Sequence, residues 1–220
     1  MSYKIKTIVV GALETNCYVL MPHPESPDGK SCLVIDPGDE AEKIISALGI
    51  SKPAAILLTH AHADHIGACG ELKRKFPSAV IMAHPLEFPA LGDPAKNLSF
   101  FEGIMVVSPP AEKSLEDGAV ISVSEGDIKL KVIHTPGHTL GSLCFLDEEN
   151  GVVFTGDTIF KETIGRVDLP TGDEDAMSRS IARFIKICGA LGDVKIYPGH
   201  GPSTAFSDEK KRNPYFDIPL

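Results

Sequence analysis

Short apolar runs alternate with turns marked by glycine and proline, and the spacing of the apolar positions changes along the chain. Lys4 to Val10 and Cys17 to Met21 read as strands, Pro22 to Gly29 as a turn, and Cys32-Leu-Val-Ile-Asp36 as a buried strand ending at Pro37-Gly38. Ala41, Ile44, Ile45 and Leu48 then recur at helical spacing, with Asp39 as the expected cap and Gly49 as the stop. A strand from Ala54 to Leu58 runs into Thr59-His-Ala-His-Ala-Asp-His65, and a helix is predicted from about Ile66 to Phe76, ended by Pro77. Val80 to Ala83 is a short strand. The stretch from His84 to Asp117, with Pro85, Pro89, Pro94, Pro109 and Pro110, is irregular, and such loops often form functional rims.

The second half repeats the order. Val120 to Ser124 and Ile128 to Val132 alternate as half-buried strands, and Leu143 to Leu146 and Val152 to Thr155 flank a turn at Glu148 to Gly151. An amphipathic helix follows, capped by Asp173, with Met177, Ile181, Phe184, Ile185 and Cys188 on one face and Gly189 as the expected stop. Val194 to Tyr197 leads into Pro198-Gly-His-Gly201 and a polar C-terminal helix. Two blocks of strands flanked by helices predict an α/β fold of two sheets packed face to face with helices outside. No repeat or linker divides it, so one domain over residues 1–220 is expected.

A chain of 220 residues with 43% hydrophobic and 23% charged positions can bury a large core. The net charge of −9, with charges of both signs mixed along the chain, lacks the basic footprint of nucleic-acid binding. No apolar run approaches the roughly 20 residues of a spanning helix, and neither membrane insertion nor a standard secretion signal is expected. Five dispersed cysteines without a Cys-x-x-Cys pair are not a disulfide framework, so a reducing cytoplasm is expected.

Histidine changes the picture. In an extended segment alternate residues point the same way, so His60 and His62 converge on one ion, whereas His65 has the wrong parity and needs a turn to carry it and Asp64 to an adjacent position. Four ligands over six residues cannot all close on one tetrahedral ion, and two half-sites are expected. Completions stand at other predicted strand ends: His138 in His134-Thr-Pro-Gly-His138-Thr, Asp157 in Thr155-Gly-Asp157, and His200. A carboxylate can bridge two cations where imidazole cannot, which suits Asp157.

Taken together, His60-x-His-x-Asp-His65, His138, Asp157 and His200 resemble the metallo-β-lactamase superfamily, whose fold is a four-layer αβ/βα sandwich. Thr15-Asn-Cys17, His134-Thr-Pro-Gly-His138-Thr, Thr155-Gly-Asp157 and Gly165-Arg-Val-Asp-Leu-Pro170 resemble its glyoxalase II, or hydroxyacylglutathione hydrolase, branch. The resemblance implies His60, His62 and His138 on a first metal, Asp64, His65 and His200 on a second, and Asp157 bridging. It implies two divalent ions, expected to be zinc with iron or manganese as alternatives, and a metal-bridging hydroxide, oriented by Asp64 and Asp157, that cleaves a small-molecule thioester. A mononuclear iron enzyme resembling persulfide dioxygenases and a lactonase are the alternatives. Lactamases of this superfamily commonly carry cysteine at the position of Asp157, which disfavours antibiotic hydrolysis. Glyoxalase II enzymes also grip the glutathione carboxylate with a basic C-terminal extension, while 20 residues follow His200 here, which leaves glutathione recognition open.

Around these residues the expectations are plainer. His134 and Asp36 are expected to support the metal residues through hydrogen bonds, and Arg166 with Asp168 to form an internal ion pair. His23 and His84 read as ordinary surface or loop histidines. At least one of Phe88, Phe100 and Phe101 is expected in the core, and Lys210-Lys-Arg212 on a solvated helix face.

Overall fold

The computed structural model describes residues 3–23 and 31–217; the turn expected between Pro22 and Gly29 lies, from residue 24 on, outside them. The first sheet contains β1 (Tyr3–Val10), β2 (Thr15–Pro22), β3 (Ser31–Ile35), β4 (Lys52–Leu57), β5 (Val80–Ala83) and β6 (Lys113–Ser114), paired in that order. Its first three strands run antiparallel and the pairs from β3 to β6 are parallel. The second sheet contains β7 (Val120–Val123), β8 (Ile128–His134), β9 (Leu143–Asp147) and β10 (Val152–Gly156). A small hairpin, β11 (Ile159–Phe160) and β12 (Thr163–Ile164), separates these from β13 (Lys195–Pro198) and β14 (Thr204–Ala205), which complete that sheet in the order β14-β13-β10-β9-β8-β7.

Strand parity builds the layers. On β3, Leu33 and Ile35 face the second sheet, while Cys32 and Val34 face outward. On β10, Val152 and Phe154 face inward and Val153 outward. The inner set packs sheet on sheet with Tyr18, Leu57, Leu130 and Phe145. Outside the first sheet lie α1 (Ala41–Leu48), α2 (Ala63–Ile66) and α3 (Cys69–Lys75), which seal its face with Ile44, Leu48, Ile66 and Leu72; the short α4 (Phe88–Leu91) adds Leu91 to the same core. Outside the second lie α5 (Glu174–Leu191) and α6 (Phe206–Arg212), contributing Met177, Ile181, Phe184 and Phe206. The result is the expected αβ/βα sandwich, with three apolar layers buried between four layers of structure. Among the described residues no helix is long and apolar enough to cross a membrane.

Local expectations fail in three places. The helix expected from Ile66 to Phe76 is two helices, because Gly67 docks against the Gly38 carbonyl, where a Cβ would collide, and Ala68 donates its N–H to Pro37 at 3.0 Å. Asp39 caps nothing: its carboxylate accepts the N–H of Glu40, which takes the N-cap place in a left-handed conformation with φ 49°. The long helix runs through Gly189 to Leu191 and stops at Gly192, with φ 96°. A single interior glycine costs only about 1 kcal/mol, too little to end a helix packed along its length.

Candidate metal centre

Every residue expected at the site stands at or just beyond the end of an element at one edge of the sandwich. His60 and His62 follow β4, and the single turn of α2 brings Asp64 and His65 round as the parity requires. His138 lies in the loop between β8 and β9, Asp157 just after β10, and His200 just after β13. The structure gathers all seven into three overlapping groups: His60, His62 and His138; Asp64, His65 and His200; and His60, His65 and Asp157, each group with its donor atoms within 4.8 Å of one another.

Asp157 stands in the middle. Its Oδ1 is 3.4 Å from His65 Nε2, and its Oδ2 is 3.5 Å from His138 Nε2 and 3.6 Å from His200 Nε2. Asp64 Oδ2 lies 3.2 Å from His200 Nε2 and 3.4 Å from His65 Nε2. His138 Nε2 is 2.9 Å from His62 Nδ1. Close approach depends on Gly199, where a Cβ would collide with Asp157 Oδ1 and sit 2.9 Å from His65 Cε1.

Hydrogen bonds behind the rings fix which nitrogen is free. His65 Nδ1 is 3.0 Å from Asp36 Oδ2, His138 Nδ1 is 2.8 Å from the Arg166 carbonyl, and His200 Nδ1 is 2.9 Å from the Leu13 carbonyl. All three partners only accept, so Nδ1 carries the proton and Nε2 turns a lone pair into the site. Thr59 donates its hydroxyl to Asp36 at 2.6 Å and is left to accept from His60 Nδ1 at 3.1 Å, which frees His60 Nε2 as well. In their neutral forms His65 Nε2 and His200 Nε2 face each other at 3.3 Å with a lone pair on each. His60 Nε2 and Asp157 Oδ1 are buried without a hydrogen-bond partner. A proton satisfies one such pair, whereas shared cations would satisfy the set together, and the donor set fits divalent metals.

Electrostatics agree. Burial, reinforced by the neighbouring histidines, holds His60 well below the usual imidazole range, and burial with His138 pushes His62 down to about 3. Both are neutral, as a ligand must be. Burial would raise the Asp157 carboxyl, but His65, His138 and His200 outweigh it and leave it lowered. Burial likewise opposes charge on His65, yet Asp64, Asp157 and Asp36 raise it overall, so cation binding there displaces protons.

Asp36 takes its expected part, accepting Thr59 N–H at 2.8 Å besides the bonds above. Thr15 donates to Asp64 at 2.9 Å, and Asn16 holds the His200 loop through the Pro198 and Gly201 carbonyls. Arg166 and Asp168 pair at 2.7 and 2.8 Å. His134 departs from expectation: its ring stacks on His84 at 4.2 Å and bonds the Leu140 carbonyl, touching none of the seven. None of the three phenylalanines is core: Phe88, Phe100 and Phe101 are 37%, 59% and 69% exposed, and Phe101 lines the cavity before the cluster. The loop leaving Asn97 carries it outward.

Two residues escaped sequence reasoning. Glu87, 4% exposed, accepts from Ala61 N–H, Gly141 N–H and the Thr139 hydroxyl, each at 2.8 Å, clamping the loop of His60 and His62 to that of His138. Its only signal was an acidic side chain in the apolar run Leu86-Glu-Phe88. Asn97, fully buried, anchors the irregular segment through the Ala90 and Val106 carbonyls and receives the Ala63 N–H on its own carbonyl.

A four-layer αβ/βα sandwich carrying a His/Asp cluster at one sheet edge defines a chain of the metallohydrolase type. Residues 10–200 match the family profile of the metallo-beta-lactamase superfamily, and the chain belongs to that superfamily. It is 34% identical to the probable metallo-hydrolase YqgX of Bacillus subtilis over 97% of this chain and 98% of that one. It is 31% identical, over 97% and 98%, to the hydroxyacylglutathione hydrolase GloC of Haemophilus influenzae. Among solved structures, the BLEG-1 B3 metallo-beta-lactamase superposes with a TM-score of 0.87 at 34% identity, covering 98% of this chain and all of that one. TTHA1623 in a di-iron-bound form gives 0.80 at 33%, covering 96% and 99%.

Proposed function

We propose that this chain is a binuclear metallohydrolase that cleaves a small-molecule thioester. The observation that carries the reading is the convergence of four Nε2 atoms, His62 Nδ1 and two carboxylates on one space, where His60 Nε2 and Asp157 Oδ1 have no hydrogen-bond partner. In this reading His60, His62 and His138 hold one divalent ion, Asp64, His65 and His200 the other, and Asp157 spans both. Zinc suits the nitrogen and oxygen donors; iron or manganese are the alternatives, iron being supported by the di-iron neighbour. Such ions, when bound, polarise a carbonyl and supply a water acidic enough to lose its proton near neutral pH.

The chain's own residues do the rest. Asp64, fixed by Thr15, and Asp157, confined by Gly199, orient the attacking water by accepting its hydrogen bonds. Asp36 keeps His65 and the Thr59 turn in place. The described lining of the cavity offers no thiol and no serine, and Thr163 carries its one hydroxyl, which supports water rather than a side chain as the nucleophile. A thiolate leaves with little help from an acid, which matches a site without a dedicated proton donor. GloC supports the thioester. The acidic net charge supports a small molecule over nucleic acid, and the five free, buried cysteines support a cytoplasmic setting.

A β-lactam is the second reading, favoured by the likeness to BLEG-1. Hydrolysis of S-lactoylglutathione, of acyl thioesters of N-acetylcysteamine and of nitrocefin by metal-replete protein separates the two. Thioester turnover abolished by a chelator and restored by metal is expected. Turnover of nitrocefin with none of any thioester overturns the first reading in favour of the second.

A further inference from the structure

The cavity before the cluster has a volume of about 770 Å³, within the range of small-molecule sites. Apart from the proposed metal residues, its walls are Leu13, Leu98, Phe101, Phe160, Ile164 and Leu169, with Asn97, Thr163, Arg166 and others between them. Arg166 is the only lysine or arginine among the described lining residues, and Asp168 already engages it through two hydrogen bonds. The lining therefore presents an entering anion with a neutralised pair where a carboxylate grip would need a free fork.

These walls are built features. Four of the chain's non-glycine residues with positive φ lie in or beside them: Glu14 at 54°, Leu98 at 72°, Glu162 at 61° and Thr171 at 74°. Each such conformation costs on the order of 1–3 kcal/mol and persists only where its surroundings hold it. At Leu98 the holder is Asn97, whose amide nitrogen bonds two carbonyls and whose amide oxygen accepts from both Ser99 N–H and Ser99 Oγ. At Glu162 it is Glu209, buried in α6, which accepts the Glu162 N–H at 2.8 Å. Beyond Phe101 the apolar surface continues to Phe100, whose ring lies 5.7 Å away and which is 59% exposed. Apolar surface continuous with a cavity mouth fits a ligand longer than the cavity itself.

From this wall we infer that the site selects neutral thioesters with an extended apolar group, seated on Leu98, Phe101, Phe160 and Leu169, over anionic thiol conjugates. The inference rests on the thioester reading above and names its substrate class. The reaction balances without a redox partner: the acyl C–S bond breaks, water gives its oxygen to the acyl carbon, and the products are a carboxylic acid and a thiol.

Binding and turnover are measured together on metal-replete protein. Non-hydrolysable thioethers, S-butyl-, S-hexyl- and S-octyl-N-acetylcysteamine, are titrated by calorimetry beside S-hexyl- and S-octylglutathione at low and high salt, and the matching acyl thioesters are assayed for hydrolysis. Kd is expected to fall by up to about fourfold per methylene in the neutral series. The glutathione thioethers should bind no tighter than their neutral counterparts at either salt. Phe101→Ala and Leu169→Ala should each weaken S-octyl binding roughly tenfold while metal content stays the same. A flat response to chain length, or tighter glutathione binding that high salt removes, overturns the inference, and the thioester reading survives if thioesters still turn over. Chain-length-dependent binding without turnover of any thioester upholds the apolar selection and sinks the thioester reading.

Discussion

Asp36→Asn probes the site without replacing a proposed ligand. Asp36 is 1% exposed and its backbone is left-handed at φ 49°, a region asparagine enters readily, so the substitution is neutral for the chain path. Its oxygens accept from Thr59 N–H, the Thr59 hydroxyl and His65 Nδ1 at 2.8, 2.6 and 3.0 Å. An amide offers one accepting oxygen and an NH₂ that only donates. With its oxygen towards Thr59 N–H, its NH₂ faces His65 Nδ1, which must then give up its proton; the proton moves to Nε2 and blocks the nitrogen that faces the cluster. Flipped, the NH₂ meets Thr59 N–H, donor against donor.

Either orientation loses a hydrogen bond to a charged acceptor, worth about 1.5–3 kcal/mol, and leaves a buried group poorly paired. We expect a loss of about 2–3 kcal/mol in stability, or roughly 5–10 °C in Tm at this chain length. Affinity for the metal beside His65 should fall about 10- to 100-fold. Competition with a chelator of known affinity, read by elemental analysis, gives the second number and thermal unfolding the first. An Asp36→Asn variant that holds metal as tightly as the parent would refute the claim that Asp36 sets the His65 tautomer.

Other perturbations follow from the same geometry. Asp157→Ala should lose metal at both positions and more than 100-fold in hydrolysis, beyond the range of a supporting residue, whereas His134→Ala, whose ring contacts none of the seven, should keep both within a few-fold; equal losses in the two would show Asp157 misplaced. Gly199→Ala drives a methyl group into Asp157 Oδ1 and should cost about 1–3 kcal/mol with metal content reduced, checked by unfolding and elemental analysis. Burial pushes Cys32 and Cys69 up to about 12 and Cys144 up to about 11, so at pH 8 about one thiol in a thousand or fewer is ionised. Native protein should therefore resist a thiol reagent that labels it fully once unfolded. Because unfolding restores ordinary thiols, stability should decline as pH rises from about 9 towards 12, and reaction of all five cysteines in native buffer would contradict their burial.

The clustering of the seven residues was legible because rare side chains recur at predicted strand ends, where the fold brings them together. His60 and His62 converge from the segment just after β4, and the turn required for Asp64 and His65 is α2. The layers were legible for a related reason: two-residue periodicity on β8 reports which face is buried. What stayed hidden depends on approach across the fold. Nothing near Gly67 announces that it must dock on Gly38, so one helix was read where two exist. Glu87 bonds to residues 26, 52 and 54 positions away, and no local pattern carries that distance. His134 has the composition of a site residue and the position of a rim residue, a difference visible only once its ring is seen stacked on His84. At least one of Phe88, Phe100 and Phe101 was expected in the core by hydrophobicity, yet all three are exposed, the last two on a loop anchored at Asn97.

The central claim is that two metal ions share Asp157, and diffraction from crystals of metal-replete protein at the absorption edge of its own metal tests it most directly. The account predicts two anomalous peaks per chain, one within bonding distance of His60, His62 and His138 and one of Asp64, His65 and His200, with Asp157 reaching both. A single peak, or peaks away from the space between His60 and His200, would contradict it.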